Sequence, residues 1–233
     1  MDVTVIFVEP ENWGNVGSIA RCMKNFGFEK LMLVTHDTPN DEARTLAMHA
    51  ADVLENAIRV PTLRDALAMV DTSIATTCVD GSDKNFRKVT VTPRELATVV
   101  CGKVGILIGR EGTGLTNEEI ASCDVILRIP TSPSYPAMNA SHACCVILYE
   151  FSQIPLRRRY RSASHLEKEL IMKDFFHIVE NVESRDFKKE VARDVFSAII
   201  HRSFMTGREA YTLKGILRRL RRRLEVESGP EGI

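Results

Sequence analysis

Residues 104–119, VGILIGREGTGLTNEE, decide the fold. The run Val104–Ile108 is apolar without polar alternation, as in a strand buried on both faces. Gly109, Gly112 and Gly114 follow within six residues and leave a loop with little side-chain bulk. Thr116 and Glu119 then stand at capping-box spacing, which predicts a helix beginning just after Thr116. Strand, glycine loop and helix in this order form the unit of an α/β sheet, in which ligands sit outside the carboxyl ends of the strands. The loop is therefore either a tight turn or a ligand platform.

The pattern repeats on both sides of this stretch. Val3–Val8, Lys30–Thr35, Ser73–Cys78 and Val125–Ile129 are further strand candidates of the same continuous apolar type. Helical patterns lie between them near Val16–Phe26, Asp41–Leu54 (with Asp41 as N-cap), Thr62–Val70 and Pro93–Val100. Asn139–Phe151 supplies a closing helix. The expected fold is α/β with a mostly parallel sheet over residues 1–155. Pro155 and the arginine run Arg157, Arg158, Arg159, Arg161 mark a boundary. Residues 156–233 show helical periodicity and no strand signal, which predicts a small all-α extension with helices at Ser164–Val182, Asp186–Met205 and Arg208–Glu225.

Composition limits the function classes. The 233 residues are 44% hydrophobic and 27% charged, which suits a globular core and excludes a disordered chain. No run of about 18 apolar residues occurs, so no membrane-spanning helix is expected. The opening MDVTVIFVEPENWGN lacks the basic region of a secretory signal, and a cytoplasmic protein is expected. The six cysteines form no C-x-x-C and match no zinc spacing, so no metal is expected; they read as small core residues of a reducing compartment. Net charge is zero but unevenly distributed. Residues 1–150 carry 13 Lys/Arg against 19 Asp/Glu, a net of −6, and residues 151–233 carry 18 against 12, a net of +6. The basic C-terminal part is either a solvated helix face or a grip on a polyanion.

Two nucleotide-binding signatures are absent. No G-x-G-x-x-G follows the first strand, and no G-x-x-x-x-G-K-[ST] occurs. Chemistry must come from other loops. One is Glu9–Arg21, in which Gly14 and Gly17 permit close backbone approach. Asn15 is there either a helix cap or a ligand contact, and Arg21 either a surface ion pair or a phosphate clamp. Trp13 either stacks on a base or anchors the loop. Another is Ile129–His142, stiffened by Pro130, Pro133 and Pro136 and leading into a helix of small residues. His142 lies near that loop; the other histidines read as structural or surface.

Together, Gly14-Asn15-Val16-Gly17-Ser18-Ile19-Ala20-Arg21, Ile108-Gly109-Arg110-Glu111 with Gly114-Leu115, and Ile129-Pro130 with Asn139-Ala140-Ser141 resemble the three motifs of the SpoU branch of the SPOUT RNA methyltransferases, in particular the TrmJ-type tRNA 2′-O-ribose methyltransferases. The resemblance spans the first domain. It implies a trefoil knot near that domain's C-terminus, S-adenosylmethionine as cofactor and an obligate homodimer. It implies cofactor contacts from Thr76, Thr77, Cys78, Gly109, Gly114, Ile129, Ala137, Met138 and Asn139. It carries catalytic roles over to Arg21, Asn15, Glu111 and Asn139: Arg21 on the substrate phosphate and the nascent alkoxide, Asn15 orienting substrate or loop, and Glu111 holding the arginine or a donor in place. The family's third motif has a serine two residues before its asparagine; here that residue is Ala137. The substrate implied is tRNA, at the anticodon-loop nucleotide numbered 32, with cytidine as the favoured base. Arg157, Arg158, Arg159, Arg161, Arg218, Arg219 and Arg222 are the expected phosphate contacts. The competing readings are a catalytically silent RNA-binding protein on the same fold, a methyltransferase acting on another tRNA or rRNA site, and an unrelated small-molecule enzyme.

Overall fold

The computed structural model describes residues 2–79, 90–153 and 161–227. The chain divides into two compact units, Met1–Arg159 and Tyr160–Ile233.

The first unit is built on a sheet of seven parallel strands: β1 (Asp2–Val8), β2 (Lys30–Val34), β3 (Ile58–Val60), β4 (Thr72–Thr77), β5 (Thr90–Val91), β6 (Lys103–Ile108) and β7 (Val125–Arg128). Their order across the sheet is β3-β2-β1-β6-β4-β7-β5. The central strands bury Val5, Ile6, Phe7, Ile106 and Leu107 completely, so their uninterrupted apolar runs have both faces covered. β3 and β5 were not expected from sequence; at three and two residues they are too short to show a period.

The helices are α1 (Trp13–Asn25), α2 (Asp41–Ala47), α3 (Ala51–Glu55), α4 (Leu63–Leu67), α5 (Pro93–Val99), α6 (Asn117–Ala121) and α7 (Ala140–Ser152). Two caps fall on other residues than those the sequence offered. Asn12, not Asn15, caps α1, and Asn40, not Asp41, caps α2. The helix expected over Asp41–Leu54 is broken at Met48, whose φ of 52° lies in the left-handed region, and a 3-10 turn over Met48–Ala50 separates α2 from α3. α2 packs closely on α1 because Gly17 has no side chain: a Cβ there would collide with the Ala43 carbonyl oxygen.

Register decides where the loops emerge. Phe7 of β1 pairs with Ile108 of β6, Ala75 of β4 with Leu107, and Thr77 with Arg128 of β7. The carboxyl ends of β1, β6, β4 and β7 therefore stand side by side along one edge. β7 is held in register by Asp124, whose buried carboxylate accepts hydrogen bonds from the Ser73 backbone N (2.8 Å) and Oγ (2.7 Å). To join β6 to β7 the chain crosses β4 through α6, and after β7 it returns to α7, which packs on α1 and α5.

The second unit is helical: α8 (His165–Val182), α9 (Asp186–Arg202) and α10 (Gly207–Glu227). α8 packs against both of the others. Its core joins Ile171 to Ile200, Ala210 and Leu217, and Phe175 stacks on Phe196 at 3.7 Å. Buried Asp174 accepts from Arg221 at 2.7 Å, which turns that arginine inward. Ser164 and Glu167 form a capping box on α8, and Glu167 also takes both terminal nitrogens of Arg161 at 2.8 Å.

Two stability predictions arise here. Gly17→Ala should destabilise the first unit by about 1–3 kcal/mol, the usual range for overpacking, read as a lower urea midpoint. In the second unit, the hydrogen bonds from Arg161, with help from Ser164, hold the Glu167 carboxyl at about 2, below its ordinary 4.5. A depressed folded-state value contributes stability above pH 4.5 that is lost as pH falls toward about 2. The Tm difference between wild type and Glu167→Gln should therefore shrink over that window; a pH-independent difference would contradict the assignment.

Candidate active site

The four adjacent strand ends project four segments of distant sequence into one place. The first is the loop after β1. Glu9 adopts φ 45°, and Asn12 caps α1 by accepting from Asn15 N at 3.2 Å, which places Asn15 in the first turn of that helix. The second is the loop after β6. It folds back on itself, with Gly114 N donating to Arg110 O at 2.8 Å. A Cβ on Gly109 would collide with the backbone of Gly114 and Leu115, and Gly114 has φ 69°, so both positions require glycine.

Carboxylates join these two loops in both directions. Glu111 accepts from the backbone N of Glu11 (2.8 Å) and of Asn12 (3.1 Å) and from Asn15 Nδ2 (2.9 Å). Glu11 in turn accepts from Gly112 N at 2.9 Å. Arg110 donates to Glu9 at 2.8 Å and, in two-pronged fashion, to Glu119 at 3.0 Å. Hydrogen bonds donated to Glu119, and then to Glu9, raise the Arg110 pKa against the effect of partial burial. Burial pushes the Glu119 carboxyl up, but Arg110 and Thr116 outweigh it and the net shift is downward.

The third segment, the proline-rich loop after β7, joins the same network. Asn139 caps α7, its Oδ1 accepting from Ser141 N (2.9 Å) and Ser141 Oγ (2.7 Å), while its Nδ2 donates to Asn15 Oδ1 at 3.0 Å. The result is one directed chain, Glu111–Asn15–Asn139–Ser141. The carboxylate dictates its direction, because an Asn15 amide flipped the other way would set its oxygen against the anion. Each asparagine spends one N–H on this chain and keeps a second N–H available.

Beside the chain lies a cavity of about 240 Å³. Thr76, Thr77, Cys78, Gly109, Gly114, Ile129, Ala137 and Met138 all line it. Asn139 does not, although its neighbours Met138 and Ala140 do. A further hollow of about 180 Å³ shares the Thr76–Cys78 and Thr113–Gly114 walls. The lining mixes apolar side chains (Ile129, Leu127, Ile147, Met138) with bare backbone, a surface suited to a planar heterocycle recognised through main-chain groups. Thr76 is committed to the sheet, its Oγ1 donating to Leu107 O at 2.7 Å.

Arg21 is not part of this network. It lies six residues beyond Asn15, about 9 Å further along α1, exposed, with no hydrogen bond or ion pair from its guanidinium among the described residues. Arg218, Arg219 and Arg222 are exposed on α10, whereas Arg161 is engaged with Glu167. Arg157, Arg158 and Arg159 lie outside the described residues. Cys78 is an exception to the reading of the cysteines as core, being exposed at the cavity. Burial pushes Cys22 up to about 11 and Cys123 up to about 12, so both are thiols at neutral pH. Among the described residues no cluster of His, Cys, Asp and Glu could hold a metal ion. Sequence reasoning gave no role to Glu9, Glu11 or Arg110. The acids Glu9 and Glu11 lie about a hundred positions from the loop of Arg110, so nothing local reveals the pairing.

The comparisons with known proteins agree with this geometry. Residues 2–149 match the model of the SpoU rRNA Methylase family. The chain is 42% identical over 221 residues to the tRNA (cytidine-2′-O-)-methyltransferase TrmJ of Methanocaldococcus jannaschii, covering 91% of this chain and 96% of that protein. The crystal structure of TrmJ from Z. mobilis ZM4 superposes with a TM-score of 0.71 at 26% identity, covering 93% of this chain and 98% of the other. The SpoU methyltransferase AviRb from Streptomyces viridochromogenes, solved in complex with AdoMet, aligns over 64% of this chain and 59% of its own at 25% identity, with a TM-score of 0.50. With its three motif segments joined at the ends of a parallel sheet, this chain belongs to the SpoU methylase family.

Proposed function

We propose that this protein transfers the methyl group of S-adenosylmethionine to a ribose 2′-oxygen of tRNA, with Arg21, Asn15, Glu111 and Asn139 serving the reaction. The observation that carries the reading is the Glu111–Asn15–Asn139 chain standing beside the cavity. The cavity fits the cofactor's chemistry, with apolar walls for the adenine and glycine backbone at 109, 112 and 114 for its polar edges. Bound there, S-adenosylmethionine supplies a methyl group on a sulfonium, an electrophile with a neutral thioether as leaving group.

The chain's own residues have two tasks, placing the hydroxyl and favouring its deprotonated form. The unspent N–H groups of Asn15 and Asn139 are donors of fixed direction for the reacting oxygen. Glu111 keeps them fixed and is itself occupied by three donors. Arg21, whose guanidinium has no hydrogen bond or ion pair among the described residues, is assigned to the substrate, holding a phosphate and stabilising the nascent alkoxide. This role is electrostatic, and the hydroxyl proton passes to solvent water as the methyl group is transferred.

The finer parts of the reading are proposals of the same kind. The target is nucleotide 32 of the anticodon loop, with cytidine as the base. The relative from Methanocaldococcus jannaschii, named a tRNA (cytidine-2′-O-)-methyltransferase, supports that base. The first unit extends to residue 155 and is knotted; residues 156–233 bind tRNA through their excess of positive charge. The protein acts in the cytoplasm as a homodimer. Exposed Val146 and Tyr149, on one face of α7 beside the cavity-lining Ala143 and Ile147, supply apolar surface for a second copy. Ala137 is the one feature that favours a catalytically silent RNA-binding protein, and the first test below separates the two readings.

Radiolabelled methyl transfer to bulk tRNA, with mapping of the modified ribose, should place the label at cytidine 32. No transfer to tRNA would overturn the tRNA methyltransferase reading. Arg21→Ala should keep S-adenosylmethionine affinity and lose transfer by about 100-fold or more, the usual effect of deleting a transition-state donor; near-normal turnover would remove Arg21 from the reaction. Deleting residues 156–233 should abolish tight tRNA binding and leave cofactor binding intact.

A further inference from the structure

The arginines of α10 divide into two sets. Arg221 faces Asp174 and Glu225. Arg208, Arg218, Arg219 and Arg222 are exposed, and none has a hydrogen bond or ion pair from its guanidinium among the described residues. These four share one face. Residues 208, 211, 215, 218 or 219, and 222 follow one another at steps of three or four, so they form a single stripe about 21 Å long. It lies opposite the seam of Ala210 and Leu217 that packs into the core.

Two members of the stripe are not basic. Tyr211 is 80% exposed. Gly215 sits in mid-helix, where glycine costs stability relative to alanine. Its missing Cβ would meet nothing closer than the Arg219 guanidinium at 4.0 Å, so nothing in the described protein requires glycine there. A bare backbone step between an exposed aromatic ring and a pair of unpaired guanidinium groups has the layout of a seat for one nucleotide.

We propose that this face of α10 binds an unpaired nucleotide of the RNA substrate. Tyr211 stacks on the base, the sugar–phosphate lies against the helix backbone at Gly215, and Arg218, Arg219 and Arg222 hold the phosphates. The inference rests on the tRNA reading above and refines it. A duplex needs only the arginines, because its base faces are already covered. An exposed ring in line with them selects single-stranded RNA, whose bases offer a free π face.

The test uses the full-length protein and three probes: bulk tRNA, a single-stranded oligoribonucleotide and a blunt duplex of equal length. Binding is measured by fluorescence anisotropy across a salt series. Tyr211→Ala should weaken binding of tRNA and of the single strand about 10-fold, the scale of removing one base–aromatic stack, with the slope of log K against log salt unchanged. Tyr211→Phe should restore it. Arg218→Ala with Arg222→Ala should reduce that slope by about 0.7 for each phosphate no longer neutralised. Gly215→Ala should raise Tm while lowering affinity for the same probes, a divergence that a purely structural glycine would not produce. Unchanged binding by Tyr211→Ala, unchanged affinity with Gly215→Ala, or a duplex bound as tightly as the single strand would overturn the proposal. If wild type methylates tRNA while Tyr211→Ala binds it normally, the stacking seat alone falls. If wild type neither binds nor methylates tRNA, both readings fall.

Discussion

One carboxylate holds the site together. Glu111 accepts two backbone N–H groups and one side-chain amide from a loop about a hundred residues away in sequence. Charge-assisted hydrogen bonds of this kind are stronger than neutral ones and directional. The loop after β1 carries orphan donors at the start of α1, as any helix start does. Glu111 satisfies the donors immediately before that helix and so fixes where α1 begins and how Asn15 points. Asn15 orients Asn139, and Asn139 starts α7. The geometry of two helices and two candidate hydrogen-bond donors thus descends from one side chain.

Such a carboxylate can act only because the sheet order places its loop correctly. β6 lies between β1 and β4, so the glycine loop emerges with the first motif on one side and the cavity-lining segment Thr76–Cys78 on the other. Parallel register brings the strand ends level. Gly109 and Gly114 then let the loop fold flat against itself, leaving its backbone facing the cavity. Arg110, between Glu9 and Glu119, braces this arrangement from the outer side.

Much of this was legible in the residues. Continuous apolar runs located the five longer strands, and the Thr116–Glu119 capping box stands as expected. The cofactor positions that the motif resemblance implied, apart from Asn139, are among the residues lining the cavity. Other features were not legible, for identifiable reasons. Asn12 and Asn40 took the caps because an asparagine side chain reaches back to the N3 amide as readily as the residues first considered. The break at Met48 follows from a left-handed backbone position that no propensity marks for methionine. Glu11 and Arg110 act through long-range pairing, which leaves no period in a single sequence. In the second unit, composition showed the positive charge but could not sort it. Asp174 and Glu167 claim Arg221 and Arg161, and only the packing of α8 reveals which arginines of α10 face outward.

The most direct measurement is a crystal structure of the protein with S-adenosylmethionine bound. The account requires the sulfonium ligand between Thr76–Cys78, the Gly109–Gly114 loop and Ala137–Met138, with the links from Glu111 to Asn15 and from Asn15 to Asn139 intact beside it. A ligand bound elsewhere, or a Glu111 carboxylate detached from the first loop while the ligand occupies the cavity, would contradict it.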